Sequence, residues 1–144
     1  MFQKQCLELA EARAAVEAVL DEASKLPDAP IAVAIVDDYG RLVYFARMDG
    51  CPPVVVELAI NKAYTAAVAL LDTVAFAERD KDWGRELATY GDARFTYLQG
   101  GLVISSGSEG GTLRSLLGGI GVSGRMPDED ERLARIGLEA IMQV

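Results

Sequence analysis

The chain has 144 residues, of which 51% are hydrophobic and 25% are charged, and its formal net charge is −8 at pH 7. This balance is typical of a globular protein, and the length predicts one domain over residues 1–144. The acidic charge argues against a nucleic-acid partner, because phosphate binding needs clustered lysine and arginine. No apolar run reaches the roughly 20 residues of a membrane span, and no signal pattern opens the chain, so we expect a cytoplasmic protein without a membrane partner.

Histidine is absent from the sequence, and only two cysteines occur, Cys6 and Cys51. The absence of histidine excludes Ser-His-Asp and Cys-His catalysis, and it excludes histidine as a ligand of haem iron. The two cysteines lack metal-ligand spacing, so no metal site is predicted. Any chemistry must therefore use carboxylates, lysine, arginine, tyrosine, hydroxyls or a thiol.

The first half of the chain predicts a helix followed by a hairpin. Apolar residues spaced by three and four predict a helix over residues 3–24. The run 31–36 is apolar on both faces, which predicts a central strand covered by helices on each side or by a partner subunit. An Asp/Gly turn at 37–40 then leads to a second strand over 41–47, and such a short turn favours an antiparallel hairpin.

The next elements are helical. An alanine-rich helix is predicted from Val54 to about Leu71, and its small side chains suit close packing. Asp72 and Thr73 are suited to cap a further short helix that ends at Arg79. Beyond it, only a helical turn or two is predicted, around Trp83–Tyr90.

The last third of the chain is rich in glycine, since nine of the 14 glycines lie between residues 100 and 124. We predict a strand over 102–104, a hairpin tip at 106–111, a return strand over 112–117 and an extended run over 118–124. Glycines in that run would let backbone or ligand approach closely. Pro127 predicts the start of a last helix. The order α-β-β-α-α-β-β-β-α predicts an α/β fold of the α+β type, with a mainly antiparallel sheet flanked by helices.

The main candidate site lies where the second strand ends and the alanine-rich helix begins. A buried Lys62 would need a partner such as Asp49 or Glu57, or an anionic ligand. A ligand pocket and a purely structural ion-pair network both remain open at this point. The candidate group is Arg47, Asp49, Lys62, Tyr64 and Thr65.

Other residues could contribute to a site. Cys51 precedes a helix whose N-terminal field would lower the pKa of its thiol, which would suit a nucleophile or a haem-iron ligand, although a small turn residue is the simpler interpretation. Ser123 offers a hydroxyl. Gly119-x-Gly121-x-x-Gly124 has the letters of a dinucleotide loop but lacks the preceding βαβ unit. Further candidates to line the pocket are Arg94, Tyr97, Gly100 and Gly101.

Six motifs in order resemble one known family. They are Val36-Asp37-x-x-Gly40-x-Leu42, Arg47-Met48-Asp49-Gly50, Ile60-x-Lys62-Ala63-x-Thr65-Ala66, Gly100-Gly101, Gly118-x-Ile120-Gly121-Val122-Ser123-Gly124 and Asp130-Glu131. Together they resemble the GlcG/HbpS family, whose domain also forms the C-terminal half of PduO proteins. The resemblance covers residues 5–142.

The resemblance implies a five-stranded antiparallel sheet flanked by helices and a homo-oligomer built from dimers, up to an octamer. It also implies a small-molecule ligand, with haem as the ligand class in some relatives. The chain departs from the family pattern at several positions. Cys51 replaces an expected alanine, Val103 an expected proline and Gln99 a usual glycine or aromatic residue, and the hairpin between Ile104 and Leu116 is longer than expected.

Three functions follow from these observations. The leading hypothesis is a small-molecule-binding protein of this family in a catabolic or redox context, with haem as the ligand class that the resemblance suggests. The second is an isomerase, lyase or hydrolase in which Arg47 binds an anionic or carbonyl substrate and Lys62, Tyr64 or Asp49 moves a proton. The third is a non-catalytic assembly subunit. In the first hypothesis the ligand-binding residues are Arg47, Thr65, Cys51, Arg94, Gly100, Gly101 and Ser123.

Overall fold

The computed structural model describes residues 1–107 and 115–142, so most of the predicted hairpin tip and the first residues of its return strand lie outside the described part. The elements, in chain order, are α1 (Leu9–Ala23), β1 (Ala32–Asp37), β2 (Leu42–Arg47), α2 (Pro53–Ala69), α3 (Thr73–Trp83), a short 3₁₀ helix (Leu87–Tyr90), β3 (Gly101–Ser105), β4 (Leu116–Ser123) and α4 (Pro127–Ile141).

The described strands form one four-stranded sheet in the order β2-β1-β4-β3, and each neighbouring pair is antiparallel. The predicted antiparallel hairpin of β1 and β2 is confirmed, but the expected fifth strand is not found in this part of the chain. The predicted return strand and the glycine run are one continuous strand, β4, since Leu116–Ser123 pairs with both β1 and β3. The glycines with dinucleotide-loop letters, Gly119 and Gly121, therefore lie in the centre of a sheet and not before a helix.

The two faces of the sheet are packed differently. One face carries large aliphatic side chains, such as Ile35, Ile120 and Val122, against α1 and α4. The other face carries alanines of β1 against the alanines Ala59, Ala63 and Ala67 of α2. Helices thus cover β1 on both sides, which is the first of the two arrangements that its apolar sequence allowed.

Glycines in β4 permit the close approach of α2. A Cβ added at Gly121 would collide with the carbonyl oxygen of Ala59 and would lie 2.5 Å from the backbone nitrogen of Ala63. A Cβ at Gly119 would likewise collide with the Ala63 carbonyl oxygen. The prediction that these glycines allow backbone to approach backbone is confirmed.

Two helix boundaries differ from their predictions. Helix α1 begins at Leu9 rather than residue 3, and the Glu11 carboxylate accepts a hydrogen bond of 2.8 Å from the Glu8 N–H just before the helix, which satisfies an otherwise free donor. Helix α3 continues past Arg79 to Trp83 and ends at Gly84, whose φ of 65° is the left-handed conformation usual after a helix.

None of the helices within the described ranges combines the length and the hydropathy of a membrane span, and α2 and α3 reach them only when taken together across a bend of 64°.

Candidate functional site

Helix α2 positions most of the predicted site residues. β2 ends at Arg47, and two prolines at 52 and 53 precede or begin α2. Pro53 lies in the first helical turn, where a missing N–H is tolerated. The alanines of α2 face the glycines of β4, so the helix lies close enough to the sheet to bury polar side chains as well as apolar ones. Lys62, Tyr64 and Thr65 are all buried.

Lys62 points towards the end of β4 and the start of α4. Its Nζ donates hydrogen bonds to the Val122 carbonyl oxygen at 2.9 Å and to Asp130 Oδ2 at 3.0 Å. Both side chains of this ion pair are 3% exposed. Asp130 Oδ1 also accepts the Arg125 N–H at 2.9 Å. The partner of Lys62 is therefore Asp130, and not Asp49 or Glu57 as the sequence suggested.

Burial and charge act in opposite directions on this pair. Burial lowers the pKa of Lys62, while the charge of Asp130 raises it in part. Burial likewise raises the pKa of Asp130, against the charge of Lys62. A contact of 3.0 Å with two further hydrogen bonds is the geometry of a satisfied ion pair. Lys62 therefore holds α4 to the sheet.

Gly100 and Gly101 make room for this ion pair and for α2. A Cβ at Gly100 would lie 2.7 Å from the Val122 carbonyl oxygen and 3.0 Å from Lys62 Nζ, and a Cβ at Gly101 would collide with the Lys62 carbonyl oxygen. Ser123 is buried at the end of β4, opposite Ala32 of β1. Gly100 and Gly101 thus lie against Lys62, and Ser123 directly follows Val122, whose carbonyl oxygen binds Lys62 Nζ.

Tyr64 and Thr65 contact a different part of the chain, the loop that follows the 3₁₀ helix. The Tyr64 hydroxyl donates to Asp92 Oδ2 at 2.6 Å, and the Arg94 guanidinium stacks 4.0 Å from the Tyr64 ring centre. Arg94 also binds both carboxylate oxygens of Asp92, each at 3.0 Å. Thr65 Oγ1 accepts the Thr96 N–H at 3.0 Å. The contacts of this second group hold the loop against α2.

Hydrogen bonds shift the pKa values of this second group. Those from Arg94 and Tyr64 hold the pKa of the Asp92 carboxyl well below its usual range. Burial, together with the hydrogen bond to Asp92, raises the pKa of the Tyr64 hydroxyl. A tyrosine held in this way keeps its proton, which makes it a poor general base.

Arg47, Asp49 and Cys51 form a third group, at the turn between β2 and α2. The Cys51 N–H donates to the Met48 carbonyl oxygen at 3.2 Å, and Gly50 has a φ of 84°, as in a type II turn. Arg47 and Asp49 are exposed and have no ion pair in the described part of the chain. Their guanidinium and carboxylate are therefore available to a ligand or a partner.

The thiol of Cys51 differs from its prediction. Burial raises the pKa of this half-buried thiol, and the charge of Arg47 opposes the shift only in part. The prediction of a lowered pKa is wrong, because burial raises the pKa of the thiol by more than the charge of Arg47 lowers it. Cys51 is therefore not an activated nucleophile.

A shallow cavity of about 340 Å³ lies beside this turn. It is lined by Leu20, Ser24, Pro27, Arg47, Met48 and Asp49. Its volume is near the lower limit of pockets that enclose small molecules, which is about 300 Å³. Among the described residues, no hydrogen bond or ion pair joins the turn to Lys62 or to Tyr64. The five residues of the predicted pocket thus belong to three groups.

A buried network in α3 was missed by the sequence analysis. Asp80 is fully buried and accepts hydrogen bonds from the hydroxyls of Tyr90 at 2.7 Å and Tyr97 at 2.6 Å. Burial alone would raise the pKa of Asp80, but the hydrogen bonds of Tyr97 and Tyr90 and the charge of Arg79 together lower it. Tyr97, a predicted pocket residue, is thus part of this network.

A signal for the network was present in the sequence. Thr73, Phe76 and Asp80 follow the three- and four-residue spacing of one helical face, so an acid lies among the buried positions. In the described ranges, no group of three or more acidic or cysteine side chains is placed to hold a metal ion.

Comparison with known proteins identifies relatives over nearly the whole chain. The family model described as "Haem degrading protein HbpS-like" matches residues 7–139. Protein GlcG of Escherichia coli K12 is 28% identical over 123 residues, which is 85% of each chain.

Two solved structures extend the comparison. A double variant of HbpS from Streptomyces reticuli is 28% identical, with a TM-score of 0.79 over 96% of this chain and 89% of that chain. The structure described as a PduOC:Heme complex is 25% identical, with a TM-score of 0.78 over 94% of this chain and 95% of that chain.

Proposed function

Since the chain belongs to the HbpS-like family of haem-degrading proteins, we propose that it binds a haem-related small molecule. The similarity to a protein solved with haem supports this ligand class. The ligand-facing segment in this proposal is the turn Arg47–Cys51, which we call the 47–51 turn. It is the one predicted group whose charged side chains are exposed and unpaired in the described part of the chain.

The free guanidinium of Arg47 is the observation that carries the proposal. Lys62 is occupied by Asp130, and Arg94 by Asp92. Arg47 instead lines the cavity beside the 47–51 turn, and it has no carboxylate partner within residues 1–107 and 115–142. A guanidinium binds carboxylates through two parallel hydrogen bonds, so it suits the propionates of haem.

Few side chains of the 47–51 turn are suited to bind the iron or the carboxylates of haem. Histidine is absent from the sequence. The sulfur of Met48 already accepts the Ile31 N–H at 3.4 Å, whereas the Cys51 thiol has only a weak contact of 3.9 Å to the Pro52 carbonyl oxygen. Of the two sulfur atoms in this turn, that of Cys51 is therefore the one left to approach an iron, but Cys51 packs in the layer between β1 and α2 and does not line the cavity. Arg47, which does line the cavity, would hold a carboxylate. When bound, haem supplies the iron and its redox chemistry.

The contacts of Lys62 and Tyr64 do not support the enzyme hypothesis. A proton-transferring lysine needs a free amine next to a substrate. Here two acceptors hold Lys62 Nζ, and the Tyr64 hydroxyl is bound to Asp92. We therefore propose ligand binding without a catalytic role for these residues.

Titration with haem, followed through the Soret absorbance, tests the proposal. We expect a saturable Soret band for the wild type. Arg47→Gln should weaken binding by about tenfold, which corresponds to one charge-assisted hydrogen bond of about 1.5 kcal/mol. Cys51→Ser should shift the wavelength of the band, because the iron loses a sulfur donor.

Arg135→Gln is a matched control, since Arg135 is also exposed but lies on α4. This variant should bind as the wild type does. Because burial raises the pKa of Cys51, the spectral contribution of its thiolate should grow as the pH is raised. The absence of a Soret band would contradict the proposed ligand, and a band equal in all variants would contradict the proposed segment.

A further inference from the structure

The C-terminal end of α3 brings two arginines and a tryptophan together. Arg79 and Trp83 are four positions apart, so they lie on the same side of the helix. Gly84 ends the helix in the left-handed conformation, and the Arg85 N–H then donates to the Asp80 carbonyl oxygen at 2.8 Å. This reversal of the chain returns Arg85 to the end of the helix. The guanidinium carbons of Arg79 and Arg85 lie 4.6 Å and 4.9 Å from the centre of the Trp83 ring.

Both guanidiniums bind the same hydroxyl oxygen. Arg79 Nη2 and Arg85 Nη1 donate to the Tyr90 hydroxyl oxygen at 3.1 Å and 3.2 Å. The Tyr90 hydroxyl in turn donates to the buried carboxylate of Asp80, which the Tyr97 hydroxyl binds as well. Asp80 therefore holds Tyr90 in place, and Tyr90 holds the two guanidiniums next to each other.

The charges of this cluster do not balance. Asp80 lies 3.5 Å from Arg79 Nη2, and Arg85 has no ion pair in the described part of the chain. Two guanidiniums thus share one carboxylate, which leaves one positive charge in excess. In the same ranges, their hydrogen bonds use only Nη2 of Arg79 and Nη1 of Arg85, and the buried Nε of Arg79 has no acceptor. Most N–H donors of both groups are therefore left for an acceptor from outside the chain.

Trp83 supplies an apolar surface beside these donors. Its side chain is 59% exposed, so much of the indole faces solvent beyond the two guanidiniums. An indole and a guanidinium are both planar, and a flat ring stacks favourably on either of them. The cluster thus offers hydrogen-bond donors with positive charge on one side and a flat apolar surface on the other.

We propose that Arg79, Trp83 and Arg85 bind a small aromatic carboxylate. The two guanidiniums would hold the carboxylate, because their N–H groups match its two oxygens, and the ring of the ligand would lie against the indole. The site shares no residue with the 47–51 turn, and it does not depend on the proposed haem ligand.

Nearby acids favour a ligand with a single negative charge. Glu78, Asp82 and Glu86 flank the cluster in the sequence, and all three are exposed and without an ion pair in the part of the chain that the structure describes. Their field opposes a phosphate dianion more strongly than a carboxylate. The same field disfavours a polyanion, in agreement with the net charge of −8 of the whole chain.

Titration with benzoate at constant ionic strength tests the site through Trp83, which is the only tryptophan in the sequence. Its fluorescence should change saturably, with a dissociation constant of about 1 mM, as expected for a ligand of this size. Benzamide lacks the charge of benzoate, and acetate lacks its ring. Each should bind at least about tenfold more weakly than benzoate, because each loses one of the two contacts.

Arg85→Gln removes one guanidinium and should weaken benzoate binding by about tenfold, since one charge-assisted hydrogen bond is lost. Arg85→Lys keeps the charge without the paired donors, so its affinity should lie between those of wild type and Arg85→Gln. Arg13→Gln is the matched control, because Arg13 is also exposed and lies 6.0 Å from the centre of the Tyr44 ring. In the described ranges no second arginine stacks on that ring, and the control should bind benzoate as the wild type does.

Saturation-transfer NMR observes the ligand itself and gives a second measurement. It also permits Trp83→Leu, which removes the fluorescent ring. Transfer to the ring protons of benzoate should be strong with the wild type and largely lost with this variant. Thermal unfolding of each variant establishes that a loss of binding is not a loss of the folded state.

Three results would overturn the inference. One is the absence of saturable benzoate binding to the wild type by both methods. Another is equal binding of benzoate, benzamide and acetate, and the third is a folded Arg85→Gln variant that binds as tightly as the wild type. Trp83 fluorescence that responds to protein concentration and not to benzoate would likewise overturn it, by showing that this surface contacts a second copy. No sample contains haem, so these results and those of the haem titration are independent.

Discussion

Lys62 shows how a buried charge can resemble a catalytic residue. A lysine in an apolar helix has to be neutralised, and both a ligand and an internal acid would satisfy this need. Here Asp130 and the Val122 carbonyl oxygen bind it, and Gly100 leaves the space that they require. These contacts bury the Lys62 amine and leave it unavailable for proton transfer to a substrate. Lys62 therefore links α2 to β4 and α4 through its hydrogen bonds.

Replacement of Lys62 should lower the free energy of unfolding only while Asp130 is present. Lys62→Met leaves a buried carboxylate without a partner and should lower the free energy of unfolding by about 3–5 kcal/mol at neutral pH. Lys62→Met/Asp130→Leu removes both charges and should recover most of this loss. Urea denaturation of the wild type and both variants measures the difference. If Lys62→Met were as stable as the wild type, the ion pair would have no role in holding α4.

The loop between the 3₁₀ helix and β3 is held by side chains rather than by strand pairing. Asp92 accepts hydrogen bonds from Arg94 and Tyr64, and Thr65 accepts the Thr96 N–H. The aromatic rings of Phe76, Tyr90 and Phe95 lie 5.1–5.7 Å apart beneath it. The loop is thus ordered by polar contacts at its rim and aromatic packing below.

Asp92→Asn should destabilise this loop in a pH-dependent way. The folded-state pKa of Asp92 is lowered, so its stabilising contribution is present above the unfolded pKa of about 3.9 and is lost as the pH falls towards the folded value. At pH 7 the variant should lose about 1 kcal/mol, a figure that allows for solvent screening of a side chain that is 21% exposed.

The stability difference between wild type and Asp92→Asn should shrink when thermal unfolding is measured below pH 4 rather than at pH 7. Asp28→Asn is a suitable control, because Asp28 is exposed, lies outside the helices and has no ion pair among the described residues. A difference independent of pH would mean that the Asp92 charge does not stabilise the loop.

At the scale of the whole molecule, the sheet separates two kinds of packing. Large side chains fill the layer under α1 and α4, while glycines and alanines bring α2 almost into backbone contact. Neighbouring residues of β4 illustrate both. The Ile120 side chain packs towards Gly137 of α4, and the next residue, Gly121, lies against Ala59 and Ala63 of α2.

Substitutions of Ile120 and Gly121 should lower the free energy of unfolding for opposite reasons. Ile120→Ala leaves a cavity and should cost about 2–5 kcal/mol of unfolding free energy. Gly121→Ala adds one methyl group where backbone atoms already meet and should cost about 1–3 kcal/mol or more. Gly84→Ala is the control, because its Cβ would meet open space and only the left-handed backbone is strained. Equal losses for Gly84→Ala and Gly121→Ala in chemical denaturation would contradict the close approach of α2.

Much of the fold and less of the site could be predicted from the sequence. Hydrophobic periodicity and turn residues are local properties, so they located α1, the β1–β2 hairpin, α2 and α4. The described residues form four strands and not the expected five, because nothing in the sequence separates a return strand from a glycine run that continues it. Side-chain partners were harder to predict, since Asp130 lies 68 positions from Lys62 and Asp92 lies 28 positions from Tyr64.

The sequence by itself determined the absence of histidine chemistry, the buried central strand and the family pattern. These depend on which residues are present and in what order. Only the tertiary structure decided which charges remain free, because the pairing of a charge depends on neighbours that are distant in the chain. It assigned Lys62 to Asp130 and Arg94 to Asp92, and it left Arg47 exposed at the turn before α2.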